Sequence, residues 1–160
     1  MSPLAVAGAA RVGLPAPSDP NRLGHDWLAT LAEVPLFEGL SKRHLRRILK
    51  LARIRRFAPG SAMVRAGEPG RAFYILLDGT ARVDRASGRS VRLGAGDYFG
   101  ELALLDGGPR SADVVAEDEL LALTIDRPAF AKLLRAEPAL AQALLRTLAA
   151  RLRAAERSDA

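Results

Sequence analysis

The sequence predicts an α+β domain: a β-roll, a jelly-roll-like antiparallel barrel, with helices before it and two more after it. Three observations carry this. Apolar residues recur at helical spacing over residues 26–52 and again over 127–157. Between those stretches come short runs rich in branched and aromatic residues, separated by Pro59, Gly60, Gly67, Pro69, Gly70, Gly79 and Gly88. Finally, 160 residues with 49% hydrophobic content give room for one domain with a sizeable core, and not for two large ones.

Residues 1–21 hold four prolines and little periodicity, so residues 1–24 are read as a disordered leader and 25–158 as the domain. The apolar run at 4–10 is short and no basic residue precedes it, so a secretory signal is not expected. Two short helices are expected over 26–52, broken at Pro35 and around Gly39, with Ser41 capping the second. Nine basic residues, counting His44, lie within 42–56, where Leu45, Ile48, Leu49 and Ala52 keep helical spacing. This basic helix is read as a solvated face in preference to a nucleic-acid contact.

From Arg53 the period changes. Residues 72–78, 81–85 and 90–93 read as strands, turned by Gly79 and by Ser87-Gly88. Residues 112–116 and 120–125 resume strand character on either side of a charged turn, Glu117-Asp118-Glu119, so that the barrel can close. Asp126 before Arg127-Pro128 has the form of a helix cap with an early proline, opening a helix to about Ala136. A last helix starts at Pro138. Along it Ala141, Leu144, Leu145, Leu148, Leu152 and Ala155 make an apolar stripe, with Arg146, Arg151, Arg153 and Arg157 off it.

The stretch Phe99-Gly100-Glu101-Leu102-Ala103-Leu104-Leu105, followed by Pro109-Arg110-Ser111-Ala112, carries the chemistry. Gly100 lets backbone approach a ligand closely, and residues 101–105 can form one helical turn whose free N–H groups face an anion. Arg110 adds a planar fork of donors that stays charged, suited to phosphate oxygens. A carboxylate beside a phosphate is repelled unless the ligand offers it protons, and vicinal sugar hydroxyls do so; Glu101 therefore points to a ribose. A structural Glu101–Arg110 salt bridge is the plainer alternative.

Other classes lack their parts. The chain has no cysteine and two histidines, so disulfides, thiolate metal sites and histidine-based triads are not available, and neither a catalytic nor a metal site is expected. Asp97, Asp106 and Asp113 are read as turn or capping groups. Gly94-Ala95-Gly96 fails as a dinucleotide fingerprint because the third glycine, Gly100, falls one residue late and no βαβ unit surrounds it. No apolar stretch approaches the roughly 20 residues that span a bilayer, so a cytoplasmic protein without membrane contact is expected.

With residues 73–79, Gly94, Gly96-Asp97-Tyr98-Phe99-Gly100-Glu101 and Pro109-Arg110-Ser111-Ala112 in hand, the chain resembles the cyclic nucleotide-binding domain family over about 27–157. That module occurs in bacterial catabolite activators, protein kinase regulatory subunits and gated channels. The resemblance implies backbone donors to a cyclic phosphate at Gly100, Leu102 and Ala103, a ribose 2′-hydroxyl on Glu101, and an exocyclic oxygen on Arg110, with Ser111 and Ala112 completing the cassette. It also implies that 126–136 bends as a hinge and that 138–157 covers the base, where Leu152 and Glu156 would feel it.

Ala155 and Glu156 stand where catabolite activators present hydroxyls to adenine, so base choice is open; cyclic AMP is favoured, with cyclic GMP the alternative. The resemblance thus implies a non-catalytic cyclic nucleotide sensor with no cofactor, signalling through its C-terminal helices. It would act as a standalone domain through a protein effector or a weak homodimer along the last helix. A ligand-free interaction module and a DNA-binding regulator using the 42–56 basic helix are the rival readings.

Overall fold

In the computed structural model residues 27–158 are described, and the leader expected over 1–24 lies outside them. The order is α1 (Trp27–Ala32), a 3-10 turn (Pro35–Phe37), α2 (Lys42–Leu51), β1 (Arg53–Phe57), β2 (Ala62–Val64), β3 (Ala72–Asp78), β4 (Ala81–Arg85), β5 (Ser90–Leu93), β6 (Tyr98–Phe99), α3 (Glu101–Asp106), β7 (Ala112–Ala116), β8 (Leu120–Asp126), α4 (Arg127–Ala136) and α5 (Pro138–Ser158). The expected sequence of helices, strands and helices is present. The closed barrel is not: among the described residues the strands form two four-stranded antiparallel sheets, β1-β8-β3-β6 and β2-β7-β4-β5. A single antiparallel bridge, Pro69 to Pro109, joins the loop before β3 to the loop before β7, and proline offers no N–H to extend it into a ladder.

The central strands β3 and β8 are buried on both faces, and side-chain alternation divides them between two cores. Phe73, Ile75, Leu77, Leu121, Leu123 and Ile125 face the helices, where they meet Leu45, Ile48, Phe130, Leu133, Leu140 and Leu144. Tyr74, Leu76, Leu120 and Ala122 face the second sheet and meet Met63, Val83, Leu93, Phe99 and Val114. A register shift between Leu76 and Asp78 leaves Leu77 unpaired against β8 and keeps it on the helix side. Tyr74 and Phe99 stack at 4.7 Å, while Phe73 meets Phe130 of α4 at 5.2 Å.

Local signals account for the helix starts. Ser41 accepts from the His44 N–H at 3.3 Å, and His44 Nδ1 accepts in return from the Ser41 N–H at 3.4 Å. Asp126 accepts from the Ala129 N–H at 2.9 Å, with Pro128 just inside α4.

The basic helix expected over 42–56 is shorter than that. Helix α2 stops at Leu51, Ala52 is extended, and Arg53 to Arg56 run as β1 along β8. Ile54 and Phe57 supply the branched and aromatic character that favours the strand. Thus the cations divide between a helix and a sheet edge, and the rival DNA-reading helix loses a third of its length.

Candidate functional site

Arg110 is fixed before its side chain does anything. Its N–H donates to the Glu68 carbonyl at 2.8 Å and its carbonyl accepts from the Gly67 N–H at 2.9 Å, so the loop before β7 is tied to the loop before β3. The guanidinium is buried, lies 5.9 Å from the Tyr74 ring and donates through Nη2 to the Ala72 carbonyl at 2.5 Å. Nη1 is buried with no hydrogen-bond partner. Burial pushes the Arg110 pKa down, and the nearby Tyr74 and Glu101 partly offset this. A buried cation with a free donor is costly unless an anion completes it.

Gly100 stands directly against that group. It has φ +98°, and a Cβ there would lie 2.5 Å from Arg110 Nη1 and 2.9 Å from the Ala72 carbonyl oxygen. A side chain would fill the space beside the free donor. Arg110 also lines a cavity of about 410 Å³ with Met63, Val64, Glu68, Pro69, Arg71 and Tyr74. The sequence singles out Arg110 from that wall and misses the rest, since β2, the loop after it and β3 meet Arg110 only through the fold.

Glu101 opens α3 and is fully buried. It does not pair with Arg110. Its Oε1 accepts from Arg151 Nη1 of α5 at 2.5 Å, and its Oε2 is left without a partner. Arg151 lies 4.8 Å over the Tyr98 ring. Burial raises the pKa of Tyr98 and of Asp97 beside it; the Asp97 carboxylate accepts from the Gly94 N–H at 2.8 Å.

Arg151, expected off the apolar stripe, lies instead on the buried face. It falls seven residues beyond Leu144, and only 8% of its side chain is exposed. The readable signal was a charged residue continuing the 140, 144, 147 spacing.

The other proposed positions are spread around this centre. Leu102 and Ala103 lie on α3, Ser111 is exposed at the entry to β7, and Ala112 is buried within it. Leu152 is 61% exposed and Glu156 is exposed, so the last turns of α5 turn Arg151, and neither of these, toward the roll. Asp113 and Asp106 serve turns, accepting from the Ala66 and Gly108 N–H groups. Among the described residues no helix is long and apolar enough to cross a membrane.

Comparison with known proteins places the chain in a family. The regulatory subunit of the cAMP-dependent protein kinase of Hypocrea atroviridis is 36% identical over 104 residues, 65% of this chain and 22% of that protein. The catabolite activator protein of Thermus thermophilus superposes with a TM-score of 0.72 at 34% identity, covering 78% of this chain and 61% of that one. The regulatory subunit of a cAMP-independent protein kinase A from Trypanosoma cruzi, bound to guanosine, gives 0.66 at 28% identity over 75% of this chain and 44% of its own. This chain therefore spans a minor part of such a regulatory subunit. The model of the cyclic nucleotide-binding domain matches residues 54–137, more than half of the sequence, and the chain belongs to that family.

Proposed function

We propose that this chain binds a cyclic nucleotide, cyclic AMP in the first place, and transmits binding through α5 without turning the ligand over. One observation carries the reading: the buried, unpartnered Nη1 of Arg110 beside the side-chain-free Gly100. In this reading an exocyclic phosphate oxygen completes Arg110, with main-chain donors from Gly100, Leu102 and Ala103, and Ser111 and Ala112 frame the phosphate. Glu101 accepts the ribose 2′-hydroxyl on its free Oε2 while Oε1 holds Arg151. The carboxylate thereby joins ligand to α5, which gives binding a route to the helix. Leu152 and Glu156 reach the base only if the end of α5 moves, since both are exposed here.

Leu145 and Leu152, 64% and 61% exposed and seven residues apart on α5, support a weak homodimer along that helix or a protein effector in its place. An intracellular setting follows from the class of ligand.

Calorimetric titration with cyclic AMP, cyclic GMP, a cyclic dinucleotide and guanosine tests the proposal. Cyclic AMP is expected to bind, and Arg110→Ala to weaken it about tenfold or more, as the loss of charge-assisted hydrogen bonds requires. Flat heats with every cyclic nucleotide overturn the reading, and binding of guanosine alone replaces it with a nucleoside site.

A further inference from the structure

The joint between α4 and α5 is a single residue. Glu137 is non-helical, at φ −126° and ψ 80°, and Pro138 prevents the α4 hydrogen-bond ladder from running on into α5. Its N–H donates to the Leu133 carbonyl, closing α4, and its carbonyl accepts from the Leu140 and Ala141 N–H groups, opening α5. The end of α4 disfavours a carboxylate and the start of α5 favours it, so the helix dipoles oppose each other here, and a side chain only 4% exposed needs partners of its own. Two donors from α2 supply them, the Arg47 guanidinium and the His44 imidazole N–H. Arg47 Nη1 lies 2.9 Å from Oε1, and His44 Nε2 lies 3.0 Å from Oε2.

We propose that Glu137 is a latch through which α2 sets the direction of α5, making Arg47 and His44 positioning residues for the distant Glu101–Arg151 contact. His44 is itself aligned, since its Nδ1 accepts from the Ser41 N–H and leaves Nε2–H to donate to Glu137. Leu45 and Ile48 pack with Phe130 and Leu133 in the same core, so the latch adds direction to an apolar contact already formed. The lever is long. Arg151 lies about 21 Å along α5 from the joint, so a tilt of about 10° moves it by about 4 Å, enough to separate it from Glu101. The two side-chain contacts at one end, Arg47 and His44 on Glu137, therefore govern the ion pair at the other.

The consequence for binding rests on the proposed nucleotide site, but the latch is measurable without ligand. The chain has no cysteine, so Ser87→Cys on the β4–β5 turn and Arg153→Cys on α5 accept a pair of spin labels without background. In ligand-free protein, Arg47→Ala and Glu137→Gln should each shift or broaden the label distance by several ångströms. The double variant should do no more than the larger single one, and Lys50→Ala, on the same helix, should do nothing. Unchanged distances in both single variants, or shifts that add, overturn the latch. If Glu137→Gln does not fold, Arg47→Ala and His44→Ala, on the accessible side of the contact, decide the question by the same criterion.

Affinity for cyclic AMP should fall about fivefold in each single variant, the lower range of allosteric couplings. Absence of binding in the parent chain refutes the nucleotide reading, and the label distances alone then uphold or overturn the latch.

Discussion

Arg151 Nη1 and Glu101 Oε1 lie 2.5 Å apart although 50 residues separate them in the chain, and both side chains are buried. This contact closes the last helix onto the first turn of α3. Breaking a buried pair strands a charge, which costs about 3–5 kcal/mol, whereas removing both partners is often close to neutral. Arg151→Met is therefore expected to lower stability by about 3 kcal/mol or more. Adding Glu101→Gln should recover most of the loss. Chemical denaturation of the two variants checks both statements.

The two oxygens of Glu101 have separate partners in the proposed complex. A hydroxyl donating to a carboxylate contributes about 1.5–3 kcal/mol, so 2′-deoxy cyclic AMP should bind about tenfold or more weakly than cyclic AMP. In Glu101→Ala/Arg151→Met, which leaves no orphaned charge, the two ligands should bind alike. Equal affinities in the unmodified chain remove the ribose assignment.

Gly100 and Gly94 make a matched pair for substitution. At Gly100 a Cβ meets Arg110 Nη1 and the Ala72 carbonyl at φ +98°, while at Gly94 nothing lies within 4 Å and no positive φ is needed. Gly100→Ala should cost about 1–3 kcal/mol through backbone strain and abolish nucleotide binding by displacing the guanidinium. Gly94→Ala should leave both properties intact. Unfolding curves and titration of the two variants side by side supply the comparison.

Asp97 gives a dependence on pH. Burial holds its pKa above the ordinary carboxylate value, outweighing the Gly94 N–H bond and the attraction of Arg151. The folded state thus binds the proton more tightly than the unfolded chain does. Its contribution to stability is full below the unfolded pKa and is lost as pH rises through the raised folded value. Asp97→Asn, which keeps an acceptor for Gly94, should be more stable than the parent at neutral pH, and the gap should close on acidification toward about pH 4, the ordinary carboxylate range. A melting series across that range, with the gap constant or reversed, contradicts the assignment.

Much of the roll was legible because its signals are local. Residues 72–78 and 120–125 declare strands through branched and aromatic content, Gly79 and Gly88 mark turns, and Asp126 with Pro128 marks a helix start. What escaped depends on contacts distant in sequence. Strand β6 is two residues long and has no period to read, and the two-sheet arrangement follows from pairings such as β1 with β8. The change of period at Arg53 was readable from Ile54 and Phe57, but the run of cations across it invited a single basic helix over 42–56, and only the pairing of β1 with β8 divides that run. The Gly100, Glu101 and Arg110 cassette could be named from spacing, but Arg151 and Glu137 acquire their roles only from helices that the fold brings up against them.

Strand β3 carries Tyr74 on the cavity side and Phe73 on the helix side, so one backbone is the shared wall of both apolar interiors. Sliding that strand by one position would exchange the two sets of side chains and ruin both interiors at once. Both interiors take side chains from β3 and β8, so the roll and its helical cover should melt as a single cooperative unit rather than peel apart.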